Sequence, residues 1–383
     1  MALVFTPAEY AARIHVAAER LRAADLDGLL IFRQESMYYL TGYDTSGYCM
    51  FHGMLLTADG RVALLTRTAD RIQSRATSVV EDIRIWYDHE GANPAIDLRA
   101  MLADYGLHNQ RLGVEYHAYG LTGQRAKLVD AALSDFCELS DASDLIRQQR
   151  LVKSPAELDY VRAAGAISDE ILAIARAKVA PGVATKSIYA DMLHAVLSAG
   201  GDPSASRWPL GAGEQALFGR YHTGNEAISA NDNVCFEPAA SIRHYHSCQM
   251  FNIVTGVATA MQRRMHNACC DALDACLETL RPANTVGELY AAHGKTLDSA
   301  GFADARLAAC GYTLGATYPP TWMDWPMVWA DNPQVLETGM VFFLHMILFD
   351  EVSGTSMCLG ETAIVGSDAC ERINHLPREL MVN

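Results

Sequence analysis

The chain has 383 residues, of which half are apolar and a fifth are charged, a balance typical of a globular protein with room for two domains. Its net charge of -15 argues against nucleic-acid binding, which needs a basic face. No stretch has the length and hydropathy of a membrane span, and the first residues lack a secretory signal pattern, so we expect a cytoplasmic protein that does not bind membranes.

The first 150 residues predict a small α/β domain. Thr6, Pro7 and Glu9 form a helix-start signal, and the helix should run to about Ala24. The stretches "LDGLLIF", "RVALLT", "IRIWY" and "RLGVEY" indicate strands, separated by helical patterns such as "AIDLRAMLADYG". Strands that alternate with helices in this way are typical of an α/β domain.

A second domain begins near residue 153. Ser154, Pro155 and Glu157 repeat the cap, proline and acid signal before a long amphipathic helix. Three further helices are indicated by "KSIYADMLHAVLSAGG", "ATAMQRRMHNACCDALDACLETL" and "TVGELYAAHGKTLDSAG". Helices around a curved sheet predict an α+β domain at 153–383, after an α/β domain at 1–152.

The stretch "CFEPAASIRHYHSCQMFNIVTG" predicts a β-hairpin with chemically active side chains. Glu237 precedes Pro238, so it lies at an interruption of the strand, where side chains are often directed toward sites. Alternation puts His244 and His246 on one side and Tyr245 on the other. If Glu237 and Cys248 both point from their strands toward a pocket, His246 and Cys248 face that pocket. The alternative is that the two histidines face solvent.

Two later strands, "GMVFFLHMILF" and "SMCLGETAIVG", each contain a polar residue in an apolar run. His345 needs a hydrogen-bond partner there, and the carboxyl group of Glu361 must be paired, hydrogen-bonded or protonated. We predict that Glu361 and Glu237 are a catalytic pair that divides general acid and base work, or in which one carboxylate attacks directly and forms a covalent intermediate that water resolves. A structural hydrogen bond to a neighbouring strand is the alternative for Glu361.

The order of these motifs resembles the pita-bread family of aminopeptidase P, prolidase and creatinase. The features that carry the resemblance are the small α/β domain, "R-x-x-K-S-x-x-E" at the head of a long helix, the "MVFFLHM" strand and the "GET-AIV" strand. The resemblance covers essentially the whole chain. It implies a pita-bread catalytic domain at 153–383 behind a smaller creatinase-type domain at 1–152.

In the metallopeptidases that the chain resembles, two Asp, one His and two Glu hold two metal ions. Those positions fall here on Glu237, Cys248, Tyr312, His345 and Glu361, and only Glu361 keeps the family residue. Thiol, phenol and imidazole groups replace hard oxygen donors, so we expect no metal cofactor. A single zinc ion on Glu237, Cys248, His345 and Glu361 is the alternative.

Two segments resemble the metal-free ectoine hydrolase branch, namely "RHYHSC" and "GYTLGATYPPTW". This resemblance implies hydrolysis of a C–N bond in a small zwitterionic or cationic amidine, with ectoine as the leading substrate and Glu237, Glu361, His246 and Tyr312 as catalytic residues. Creatinase places a catalytic histidine on the loop before the hairpin. That position matches His222 after a two-residue shift, whereas an ungapped count favours Arg220, which would clamp a carboxylate.

The remaining candidates are expected to contact the substrate. They are His244, Tyr245, Cys248 and His345 on the predicted strands, and Tyr318 and Trp322 in the proline-rich aromatic segment. Aromatic faces attract an amidinium group, although a packed lid or a dimer contact explains that segment equally well. The resemblance also implies a homodimer, in which Tyr38, Tyr39 and Tyr43 approach the partner's pocket.

Two other functions remain open from the sequence. A mononuclear zinc hydrolase would act on a small amide or dipeptide. A catalytically inactive pita-bread protein would only bind its ligand, although a site without activity has no need to keep two carboxylates.

Overall fold

Residues 3–220 and 227–383 are described by the structure, a computed structural model. The chain divides into two units, Met1–Arg150 and Leu151–Asn383. Across the described residues, the helices are too short or too polar to cross a bilayer. His222, a predicted catalytic residue, lies outside the described part of the chain.

Within its described residues, the first unit has a six-stranded mixed sheet and six α-helices. Its strands are β1 (Gly28–Ile31), β2 (Gly53–Thr57), β3 (Val62–Arg67), β4 (Asp82–Trp86), β5 (Arg111–Val114) and β6 (Glu138–Asp141), in the order β4-β3-β2-β1-β5-β6. Its helices are α1 (Pro7–Ala23), α2 (Gln34–Thr41), α3 (Arg71–Thr77), α4 (Pro94–Asp104), α5 (Gly123–Leu133) and α6 (Asp144–Gln149). The four strands expected from the sequence are present as β1, β3, β4 and β5.

The three tyrosines that were expected to reach a partner's pocket are buried inside this unit. Tyr38 and Tyr43 have no exposed surface, and the guanidinium of Arg13 lies 4.4 Å from the ring centre of Tyr39. The hydroxyl groups of Tyr43 and Thr66 are 3.2 Å apart. These side chains stabilise their own domain, so that expectation is wrong.

The second unit contains four helices and eleven strands within its described residues. The helices are α7 (Pro155–Lys178), α8 (Thr185–Ser198), α9 (Ala260–Thr279) and α10 (Val286–Ser299). The strands are β7 (Leu210–Ala212), β8 (Asn233–Phe236), β9 (Ala239–Ile242), β10 (Tyr245–Cys248), β11 (Phe251–Val254), β12 (Gly311–Thr313), β13 (Asp324–Met327), β14 (Val341–Asp350), β15 (Thr355–Ile364), β16 (Glu371–Arg372) and β17 (Met381–Val382).

The predicted helix starts are confirmed by their caps. Ser154 and Glu157 form a reciprocal capping box at the start of α7, and Thr285 and Glu288 form another at the start of α10. The hydroxyl of Thr6 accepts a hydrogen bond from the backbone of Glu9 at the start of α1. These side chains satisfy backbone N–H groups that have no partner within the first helical turn.

The predicted hairpin is present and is interrupted where expected. β8 pairs with β11 and β9 pairs with β10, and Glu237 lies between the two paired segments. The backbone N–H of Glu237 donates instead to the carbonyl of Pro209, at 2.9 Å. Arg243 and His244 form the turn, and both have positive φ, as a tight hairpin turn requires. His244 therefore lies in the turn and not on a strand.

β14 and β15 form a long antiparallel pair that decides which polar residues share a face. His345 lies opposite Gly360, and Leu344 lies opposite Glu361. Residues directly opposite each other share a face, and neighbours along a strand alternate between faces. His345 and Glu361 consequently project from opposite faces of the sheet.

Candidate active site

A cavity of about 370 Å³ lies in the second unit, bounded by β7, β8, β12, β14 and β15. Its polar lining includes Arg220, Glu237, Tyr312 and His345, all of them sequence-predicted site residues. Other lining residues include Phe218, Met250, Leu307, Met323, Met327, Ile347 and Phe349. A concave, largely apolar site with a few convergent polar groups is the usual form of a small-molecule pocket.

Glu237 is the carboxylate of this cavity. Burial raises its pKa to about 7, while a hydrogen bond from Tyr312 and the nearby charge of Arg220 act in the opposite direction. The hydroxyl of Tyr312 donates to Oε1 of Glu237 at 3.4 Å. A carboxyl group that titrates near neutral pH is suited both to accept and to return a proton.

Tyr312 is held in place by Trp322. The indole Nε1 of Trp322 donates to the hydroxyl of Tyr312 at 2.8 Å, so the phenol keeps its own proton for Glu237. Burial and the neighbouring Glu237 raise the pKa of Tyr312 well above its usual value of 10. The phenol is therefore protonated at neutral pH and is a hydrogen-bond donor in the cavity wall.

His345 presents a neutral imidazole to the same cavity. Burial lowers its pKa to about 3, and its ring centre is 5.6 Å from that of Tyr312. Among the described residues, no group hydrogen-bonds to its Nδ1. A buried polar atom without a partner is costly, so this nitrogen is available to a bound ligand.

Glu361 does not share this site. Its carboxylate accepts hydrogen bonds from the guanidinium groups of Arg372 and Arg378 and from the backbone N–H of Leu376, at 2.7–2.9 Å. Thr362, its neighbour on β15, faces the hairpin and exchanges hydrogen bonds with the backbone of Cys248. Glu361 thus faces away from the cavity. The expectation that it pairs with Glu237 is wrong, because neighbouring residues on a strand alternate between faces and Glu361 lies on the face opposite that of Thr362.

His246 is buried behind the cavity and does not line it. The Nε2 atom accepts the backbone N–H of Ala205 at 3.0 Å, and Nδ1 lies 3.2 Å from the hydroxyl of Thr317. Burial lowers its pKa to about 3, so the ring is neutral. With both ring nitrogens engaged inside the protein, His246 connects loops and has no free atom for catalysis.

Tyr245 and Cys248 are also structural. The hydroxyl of Tyr245 donates to Glu157 at 2.8 Å, and its ring stacks on Tyr160, which ties the hairpin to α7. Cys248 is completely buried, and burial followed by the charge of Glu237 raises its pKa well above 9. Neither side chain lines the cavity, contrary to the expectation for substrate contact.

The ring-bearing residues that were predicted to contact the substrate, His244, Tyr318 and Trp322, also lie outside the cavity lining. The rings of His244 and Tyr318 stack with their centres 4.1 Å apart, and Tyr318 is buried. Trp322 acts through Tyr312, as described above. These residues pack inside the second unit; the alternative of a lid or a dimer contact for the aromatic stretch stays a prediction.

Several lining residues were not identified from the sequence. Met250, Met323, Ile347, Phe349, Cys235 and Cys358 belong to this group. The sulfur atoms of Cys235 and Cys358 are 3.0 Å apart in the wall. Alternation along β14 was a usable signal for two of them, because Ile347 and Phe349 share the parity of His345.

The residues present do not fit the two metal ions of the metallopeptidases that the sequence resembles. Of the five corresponding positions, Glu237 alone brings a carboxylate to the cavity, since Glu361 faces away. Cys248 does not line the cavity, and Tyr312 and His345 bring a phenol and an imidazole, neither of which is a carboxylate. Two dications need several hard, ionised oxygen donors, and the single-zinc set also loses Glu361.

Comparisons with known proteins give the family. The family model of metallopeptidase family M24 matches residues 159–366 of the sequence. The family model of the creatinase/prolidase N-terminal domain matches residues 13–152. The chain is 26% identical to the ectoine hydrolase of Halomonas elongata, over 100% of this chain and 99% of that protein. It is 25% identical to the probable dipeptidase PepE of Mycobacterium tuberculosis, over 97% and 96% of the two chains.

A solved structure supports the same architecture. The crystal structure of dipeptidase PepE from Mycobacterium ulcerans superposes with a TM-score of 0.86 at 23% identity and covers 99% of both chains. The expected α+β pita-bread fold behind a creatinase-like N-terminal domain is confirmed. The chain therefore belongs to metallopeptidase family M24, a family that includes hydrolases.

Proposed function

We propose that this protein hydrolyses a C–N bond in a small amidine or cyclic amidine without a metal ion, with ectoine as the leading substrate. The observation that carries the proposal is the cavity itself. One carboxyl group that titrates near pH 7 shares the cavity with a protonated phenol and with a neutral imidazole that has an unused nitrogen. Such a set supplies proton transfer and hydrogen bonding, which are the needs of water attack on an amidine.

In the proposed mechanism, Glu237 moves the proton twice. Its ionised carboxylate takes a proton from water as the oxygen attacks the amidine carbon, and the carboxylic acid then gives that proton to the departing nitrogen. The phenol of Tyr312 holds the carboxylate through its hydrogen bond. A pKa near the working pH makes both transfers feasible.

Two further residues orient the substrate in this proposal. The guanidinium of Arg220 lines the cavity and is suited to clamp a substrate carboxylate. His345 offers Nδ1 to the polar group at the reacting carbon. Ectoine carries both a carboxylate and a cyclic amidine, so its two polar groups match the two kinds of partner.

Direct turnover tests the proposal. We expect purified protein incubated with ectoine and a chelator to release N-acetyl-diaminobutyrate, detected by liquid chromatography and mass spectrometry. Creatine and a dipeptide serve as comparison substrates in the same assay. Hydrolysis of the dipeptide alone, abolished by the chelator, would contradict the proposal and support a metal-dependent amide hydrolase.

The cellular location and the assembly of the chain stay predictions. We propose a cytoplasmic homodimer that acts on a small zwitterionic or cationic substrate, with no nucleic-acid or membrane partner. The burial of Tyr38, Tyr39 and Tyr43 removes one part of the argument for the dimer.

A further inference from the structure

The cavity is longer than the reacting group of a small amidine requires. A volume of about 370 Å³ falls in the range of about 300–1,000 Å³ that encloses drug-sized ligands. Its floor follows β14 and β15, where three opposite pairs share one face, namely His345 with Gly360, Ile347 with Cys358, and Phe349 with Ser356. The cavity therefore continues along the strands beyond the polar residues.

The far end of this floor is apolar apart from the buried Ser356, which lies opposite Phe349. Ile347 and Phe349 lie two and four residues beyond His345, which places them about 7 and 13 Å farther along the strand. Leu307 and Phe218 complete this end of the lining. The backbone of Gly219 lies directly against the ring of Phe349, where an added Cβ would be 3.1 Å from its Cζ atom.

Methionines surround the polar end. Met327 lies opposite Tyr312 on β13, Met250 bridges to Gly360, and Met323 precedes β13; all three line the cavity. Methionine side chains are flexible and adapt to apolar groups of different shape. The charged groups of the described lining are Glu237 and Arg220.

We propose that the cavity contains a second, apolar subsite along β14 at Ile347 and Phe349, so that besides a small ring such as ectoine it accepts amidines with an apolar substituent larger than a methyl group. This inference rests on the proposed function and widens its substrate class to amidines whose reacting group contacts Glu237 while an aliphatic or aromatic chain fills the far end. A single small ring such as ectoine leaves that end without contacts.

A homologous series of probes tests the proposal without turnover. Binding of acetamidine, butyramidine and hexanamidine is measured by isothermal titration calorimetry at pH 8. Each buried methylene strengthens binding about fourfold, so butyramidine is expected to bind at least about tenfold more tightly than acetamidine, and hexanamidine more tightly still. Equal or weaker binding of the longer probes would overturn the proposal.

The variant Phe349→Ala locates the effect. Phe349 is only partly buried, so the shortened side chain is tolerated by the fold, which a thermal melt checks. We expect the variant to lose most of the gain for hexanamidine while acetamidine binding changes less than about twofold. Trp329→Ala, at an exposed aromatic residue outside the lining, is the matched control and should bind all probes as wild type does.

The two proposals fail separately. A chain-length gain that survives Phe349→Ala undiminished would overturn the assignment to this end of the cavity. Hydrolysis of ectoine together with a flat probe series would remove only the apolar subsite. A clear probe series in a protein that hydrolyses none of the tested compounds would preserve the subsite and remove the proposed function.

Discussion

Replacing Glu237 with glutamine is expected to lower kcat by about 10²–10⁴-fold, because the amide can neither accept nor return a proton. The dependence of the wild-type rate on pH should report the pKa of Glu237. As its pKa is about 7, the rate should rise about tenfold per pH unit below pH 7 and level off above it. Steady-state kinetics from pH 5 to 9 measures both results.

The same substitution should stabilise the fold at alkaline pH. The pKa of Glu237 is raised from 4.5 to about 7, so the folded state binds more protons than the unfolded state in that window. The free energy of unfolding of the wild type therefore falls as the pH rises from about 4.5 to 7, whereas the glutamine side chain of the variant does not titrate.

The size of this stabilisation follows from the shift. The full pKa shift of Glu237 corresponds to about 3 kcal/mol. Solvent in the cavity screens the carboxylate, which reduces the expected stabilisation to about 1–2 kcal/mol. Glu237→Gln should therefore melt at a higher temperature than wild type at pH 8, with a difference that shrinks toward pH 4.5. A variant that keeps its activity, or that loses activity because it melts earlier, would contradict the role of Glu237.

Replacing Glu361 with alanine should lower the stability of the fold and leave kcat nearly unchanged. The carboxylate is completely buried and paired with Arg372 and Arg378, so its removal leaves Arg372 without its carboxylate partner and Arg378 with Asp274 alone. Because both arginines are partly exposed and can turn toward water, we expect a loss of about 2–4 kcal/mol in the free energy of unfolding. Urea denaturation measures the loss.

The activity of this variant distinguishes the two roles of Glu361. At a temperature where it is folded, kcat should stay within a few-fold of wild type, since Glu361 faces away from the cavity. Glu371→Ala is the matched control, because this glutamate pairs with Arg162 at the surface and its loss should cost less than about 1 kcal/mol. Normal stability with abolished turnover in Glu361→Ala would restore Glu361 to the active site.

The architecture was predictable because its signals are local. The capping residues Ser154 and Thr285 mark helix starts within a few positions, and the β14 and β15 runs are long and apolar. The edge strand β6 was missed because "ELSD" is largely exposed and has no apolar alternation.

The site was only partly predictable, because strand parity depends on register. Glu237 could be identified from the proline that follows it, and Tyr312 and His345 from the family resemblance. Glu361 was misplaced because a shift of one residue moves a side chain to the other face, and the sequence does not show which residue opposes His345. His246 was misjudged because its partners, Ala205 and Thr317, come from distant loops.

We propose that hydrolysis depends on Glu237 and needs no metal ion. The most direct test is elemental mass spectrometry of the purified active protein, before and after treatment with a chelator, with turnover measured on the same samples. We predict metal far below one ion per chain and unchanged turnover. About one or two zinc, manganese or cobalt ions per chain, with activity lost on chelation and restored by the metal, would contradict metal-free hydrolysis.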